Sequence, residues 1–192
     1  MPPNRIMREG AVRRGLLAAA AFALAAVALA ACGGGATTTV AIDKESDAAV
    51  LNEVLSRQLG AVDAYARVLH GLGGFDLASA RLFRAQEQEH VDGILRSLRR
   101  VGGKPEAEPE EIDSSHLKSK TDYVEFLYEM ERATIASELT AISKLTTAWP
   151  RSILASTVAN QAQHLVLLRR ELGAKPLASV PAAFENGTSP VP

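Results

Sequence analysis

One cysteine, one tryptophan and an aromatic share of only 5% are the scarcities of this 192-residue chain. A single thiol, Cys32, excludes a disulfide framework and any thiolate metal site within one chain. Few aromatics, valines and isoleucines against abundant alanine and leucine leave little from which to build a sheet and favour helices. A basic surplus is missing too. Of 21 basic and 22 acidic residues, positions 1–31 hold Arg5, Arg8, Arg13 and Arg14 against Glu9, leaving 17 against 21, a net −4. A mildly acidic remainder has no phosphate-neutralising stripe, which argues against a nucleic-acid partner. There is no glycine-rich phosphate loop and no arguable Ser/His/Asp arrangement. The length bounds the chain to one domain plus attachments.

The attachments come first. Arg13-Arg14 precede an apolar run over 16–31 that ends Leu29-Ala30-Ala31-Cys32. An arginine-flanked, short hydrophobic segment closing in small residues predicts a signal peptide over 1–31, excluded from fold reasoning. The run is shorter than a comfortable membrane span. Leu-Ala-Ala-Cys resembles the bacterial lipobox, which implies that Cys32 is lipidated and anchors the chain to the outer side of the cytoplasmic membrane or cell envelope. Residues 32–43, with Gly33-Gly34-Gly35 and Thr37-Thr38-Thr39, then read as a lipidated cysteine and flexible tether. Val12-Arg13-Arg14-Gly15-Leu16-Leu17 also resembles a twin-arginine export signal, used by proteins that fold before crossing.

Four apolar-periodic segments follow, predicting helices over 44–70, 77–101, 122–148 and 151–172. Asp43 and Asp76 are the expected N-caps of the first two, while Gly71, Gly102-Gly103 and Gly173 are the stops. Links as short as Leu72-Gly73-Gly74-Phe75 and Trp149-Pro150 force antiparallel hairpins. Between the second and third helices, 102–120 is rich in proline, glutamate and serine and long enough to cross the length of a bundle. The expected fold is therefore an all-α, antiparallel four-helix bundle over 44–172. Residues 173–192, with four prolines, form an irregular tail. Asn186-Gly187-Thr188 there matches a glycosylation sequon by chance.

Each apolar stripe is interrupted at its centre. Gln58 lies among Leu51, Val54, Leu55, Val62, Tyr65 and Leu69; Glu87 and His90 interrupt the run from Ala80 and Phe83 to Ile94, Leu98 and Val101. Glu131 sits among Val124, Leu127, Ile135, Leu139, Ile142 and Leu145, and Gln161 and His164 between Leu154 and Leu168. A buried carboxylate or amide without a partner costs several kcal/mol, so these six groups must satisfy one another or an ion. The spacing repeats: Gln58 to Glu87 is 29 residues, Glu131 to Gln161 is 30, and each second member is followed three residues on by a histidine. Position i+3 shares a helical face. Two hairpins with matching polar positions predict an internal duplication and a pseudo-twofold site.

Here the chain resembles the secreted bacterial members of the ferritin-like superfamily, on Leu51-Asn52 through Tyr65, Ala85-Gln86-Glu87-Gln88-Glu89-His90 and Asn160-Gln161-Ala162-Gln163-His164. Those proteins hold two iron or manganese ions with a Glu from each of two helices and Glu-x-x-His from each of the others. The resemblance spans 44–172 and implies metal ligation by Glu87, His90, Glu131 and His164. Gln58 and Gln161 stand where the family places glutamates. Two neutral amides remove two negative charges, which hard cations want, so these positions imply weak ligands or a core network. Glu138 follows Glu131 by seven residues, about 10 Å along the axis at 1.5 Å per residue, and is not expected to substitute; Glu89 points off the face. His70, His116 and Trp149 read as helix-end, solvated and bundle-plug residues, and Arg96, Arg99, Arg100, Arg169 and Arg170 as solvated faces or partners of helix C-terminal dipoles.

Two functions remain. One is an exported, lipid-anchored protein binding iron, manganese or zinc in its core. The other is a metal-free ferritin-like scaffold with a structural or partner-binding role at the envelope, its two glutamates and two histidines neutralising each other. A lipid tether and an irregular tail do not suit a closed storage shell, though they leave a homodimer open.

Overall fold

The computed structural model describes residues 41–180; the expected signal peptide, Cys32, most of the tether and the Asn186 sequon lie outside the described residues. Four helices form: α1 (Lys44–Val68, extended by a 3₁₀ turn, Leu69–Gly71), α2 (Gly74–Val101), α3 (Lys120–Lys144) and α4 (Ala148–Glu171). Asp43 caps α1 as expected, its carboxylate accepting from the Ser46 N–H at 3.0 Å. Gly102 closes α2 at φ 85°, where a side chain would be strained.

Four boundaries differ notably from expectation. The N-cap of α2 is Gly73 rather than Asp76; Asp76 lies in the first turn and pairs instead with Lys120 at 2.6 Å. Helix α3 starts two residues early, because Ser119 and Asp122 form a reciprocal capping box. It also ends early, at Lys144. Asp47 takes the N–H groups of Thr146 (2.7 Å) and Thr147 (2.9 Å), so the link is 145–147 and Trp149-Pro150 open α4. Proline is tolerated in a first turn, where its missing N–H has no intrahelical partner to lose.

Helix α1 packs on α2 and α3, and α4 packs on α3 and α2. Asp47 at the start of α1 meets the end of α3, so these two helices run antiparallel. At the opposite end Lys120 gathers Asp76 and Glu171 (3.6 Å), joining α2, α3 and α4. The crossover returns along α1. Asn52 Nδ2 donates to the Lys104 carbonyl (3.0 Å) and its Oδ1 accepts from the Glu106 N–H (2.9 Å). Ser56 Oγ donates to Glu108 O (2.6 Å) and the Ser56 carbonyl accepts from the Glu110 N–H (2.9 Å). One turn further, a Cβ on Gly60 would sit 2.7 Å from the Glu110 carbonyl oxygen. Asn52, Ser56 and Gly60 thus present one helical face to the loop.

Two apolar clusters fill the bundle. One includes Tyr65, Val68, Phe83, Leu127, Tyr128 and Leu168; the other includes Leu51, Leu55, Ile94, Leu98, Ala141 and Leu154. Between them, on every helix, lies a polar layer. The α3 stripe is shifted there: Leu139, expected inside, is 39% exposed, and Glu138 is fully buried. Among the described residues no helix is long and apolar enough to cross a membrane.

Candidate metal centre

The polar layer brings together the six residues singled out by pattern. Gln58, Glu87, Glu131, Gln161 and His164 are essentially inaccessible; the His90 side chain retains 11% exposure and is the solvent-facing member. Glu87, Glu131 and His164 each offer a ligand atom within 4.8 Å of the others. His164 Nδ1 lies 2.8 Å from Glu131 Oε1 and 3.3 Å from Glu87 Oε1. His90 flanks this trio, its Nδ1 3.3 Å from Glu87 Oε2 and 3.4 Å from Gln58 Nε2. Gln58 Nε2 donates to Glu87 Oε2. Gln161 Nε2 sits 3.5 Å from both Gln58 Oε1 and Glu87 Oε2.

The surrounding residues orient the donors. Tyr65 donates its hydroxyl to Glu131 Oε1 at 2.5 Å. Gln86 Oε1 lies 2.8 Å from His164 Nε2, and an amide oxygen can only accept, so Nε2 carries a hydrogen and Nδ1 turns to the carboxylates. Phe83 stacks on the imidazole, ring centroids 4.0 Å apart, fixing its plane.

Burial drives the electrostatics apart. Desolvation, reinforced by the Glu87 charge, pushes Glu131 up to about 7. Burial also raises Glu87, but hydrogen bonds to His164 and His90 outweigh it and hold that carboxyl below its usual range. For His164, burial opposes the charged ring, yet the bonds to Glu131 and Glu87 carry it up to about 9. Two carboxylates in one dry layer thus split, one ionised and one holding a proton.

The donor set fits a metal ion. Glu131 Oε2 and Gln161 Oε1 are buried oxygens without a hydrogen-bond partner, and oxygen with imidazole suits iron, manganese or zinc.

No family model matches the chain, and no curated protein matches it. Solved structures do. A ferritin-like, diiron-carboxylate protein from Bacillus anthracis superposes with a TM-score of 0.58 at 19% identity, over 69% of this chain and 99% of the other. A conserved hypothetical protein from Mycobacterium tuberculosis gives 0.61 at 15% identity, over 67% and 98%. The fold is ferritin-like.

Pattern reasoning missed two parts of this ferritin-like core. Gln86 sits at the edge of the α2 stripe and is half-buried, so no periodicity marks it. Asp47 looks like a first-turn acid and is wholly buried. Tyr65 and Glu138 each stand seven residues after Gln58 and Glu131, a relation that led both to be expected as hydrogen-bonding members of the network; Tyr65 is one, while Glu138 is buried with neither carboxyl oxygen partnered. A surface cleft of about 610 Å³ under the crossover, lined by Arg57, Glu110, Ile112, Phe126 and Met130 among others, includes none of the six core side chains.

Proposed function

We propose that this chain is an exported, lipid-anchored ferritin-like protein that binds a metal ion in its core through Glu87, Glu131 and His164, with His90 at the solvent side. The observation that carries it is the convergence of these three ligand atoms within 4.8 Å beside unpartnered buried oxygens. Such oxygens are costly without a cation. Gln58 and Gln161 line the same space and offer neutral amide oxygen. Export and anchoring at the outer side of the cytoplasmic membrane rest on Arg13-Arg14, the apolar run and Leu29-Ala30-Ala31-Cys32.

A bound iron or manganese would supply an open coordination position for dioxygen or peroxide. The chain's own residues do the rest. Gln86 and Phe83 fix the imidazole; Tyr65 holds the Glu131 carboxylate; two apolar clusters exclude water. His164 must give up the Nδ1 proton, and Glu131 its own, before either binds a cation.

Elemental analysis of the purified protein tests the reading. Stoichiometric metal is expected, with loss in Glu87→Ala and His164→Ala. The alternative, a metal-free scaffold at the envelope, is favoured by one observation: Gln58–Glu87, Tyr65–Glu131 and Glu131–His164 already form a hydrogen-bonded chain. It predicts a bundle without metal whose melting curve is indifferent to chelator.

A further inference from the structure

We propose that Glu138 is a ligand of the core metal site, delivering from α3 the carboxylate that Gln58 lacks on α1. The proposal rests on the metal-binding reading above and deepens it. Glu138 is 0% exposed, and neither of its carboxyl oxygens has a hydrogen-bond partner. Protonation alone does not resolve this, because a neutral acid is also a donor and would need an acceptor. A cation satisfies both oxygens.

The internal duplication says where Glu138 stands. Tyr65 follows Gln58 by seven residues on α1, and Glu138 follows Glu131 by seven on α3. Helices α1 and α3 pack together and run antiparallel. Tyr65 stands near the height of Glu131, since its hydroxyl reaches that carboxylate. Moving seven residues back along α1 and seven forward along α3 covers the same rise, about 10 Å, in the same direction. That move ends at Gln58 on one helix and Glu138 on the other. Glu138 therefore stands near the height of Gln58, whose amide donates to Glu87. Consistent with this, the charged groups that act on Glu138 are Glu87 and Glu131, and with burial they raise its pKa well above the usual carboxylate range. The layer then holds three carboxylates and the imidazoles of His164 and His90, a set that suits Mn²⁺ or Fe²⁺.

The test uses the full chain stripped of metal at pH about 8 and titrated with Mn²⁺, read by paramagnetic resonance and by equilibrium dialysis with elemental analysis. Glu138→Gln, nearly isosteric, is expected to weaken Mn²⁺ binding at least about tenfold, the loss seen even for outer partners of a ligand. It is also expected to raise the melting temperature of the metal-free protein while shrinking the rise produced by Mn²⁺. Adding Gln58→Glu to that variant is expected to recover binding. Unchanged Mn²⁺ affinity in Glu138→Gln, with Glu87→Gln impaired, overturns the proposal and leaves the metal reading standing. Wild-type protein that binds no Mn²⁺, Fe²⁺ or Zn²⁺ overturns both. If Glu138→Gln lowers both melting temperatures, rescue by Gln58→Glu still supports the role, and failure of rescue overturns it.

Discussion

Tyr65 and Glu131 meet across the α1–α3 interface, the phenol hydroxyl 2.5 Å from Oε1, with both side chains fully buried. Phe83 packs edge-on against the phenol ring at 6.2 Å, so Tyr65→Phe should keep the packing and lose only the hydrogen bond. A buried acceptor losing its donor costs about 1–3 kcal/mol. The expected outcome is an unfolding free energy, from urea titration, lowered by that amount, with helical content unchanged by circular dichroism. A silent substitution would show that the contact is not formed in solution.

Gln86 is predicted to act on metal through His164. Gln86→Leu removes the acceptor at Nε2, frees the tautomer and should weaken metal binding roughly 10- to 100-fold. Nitrogen-15 spectra of His164 in the metal-free protein should report the altered ring state. Unchanged affinity with an altered ring signal would rule out the positioning role.

The metal-free protein should lose stability as pH rises. Glu131, facing Glu87, His164 and Tyr65, holds its proton up to about 7 in the fold, against 4.5 ordinarily. Its contribution is present below 4.5 and lost on the way to 7. His164, held up to about 9 against 6.5, contributes fully below 6.5 and loses that contribution towards 9. In both cases the folded state binds more protons than the unfolded one, so the slope is negative. Urea unfolding with chelator at pH about 5, 7 and 9 should give falling midpoints; a rising series contradicts the assignments. Metal binding should release protons and flatten the fall.

Asp47 behaves in the opposite sense. Burial raises its pKa, but hydrogen bonds from Thr147 and Thr146 outweigh that and leave it below 3.8. Its contribution is therefore present above 3.8 and lost as pH falls through the lower folded value. Asp47→Ala removes the carboxylate from the Thr146 and Thr147 N–H groups and should cost about 2–3 kcal/mol near neutrality. Wild type and variant should converge in strong acid; a constant difference down to pH about 2 argues against a charged clasp.

Gly60→Ala tests the crossover. The added methyl meets the Glu110 carbonyl at 2.7 Å, so the loop must lift or α1 must shift, at about 1–3 kcal/mol. Limited proteolysis should cut first within 104–111. Resistance equal to wild type would mean that the loop adapts without release.

The chain's own pattern determined the four helices, their antiparallel hairpins and the inward face of Gln58, Glu87, His90, Glu131, Gln161 and His164. Helical periodicity is local, and a polar residue in an apolar stripe betrays itself within one segment. Boundaries were read less well where a distant group competed. Asp76 was free to leave the cap because Lys120 lies near, and α3 stops at Lys144 because Asp47, about a hundred residues away, takes the N–H groups of Thr146 and Thr147.

Tertiary structure alone decided which polar residues share a level. Glu138 seemed too far up its helix from Glu131 to stand in as a ligand, since distance was counted along one axis. Antiparallel packing of α3 on α1 brings it back within the field of Glu87 and Glu131 instead. Relative height between helices depends on interdigitated side chains and on the docked crossover, and no single segment encodes it.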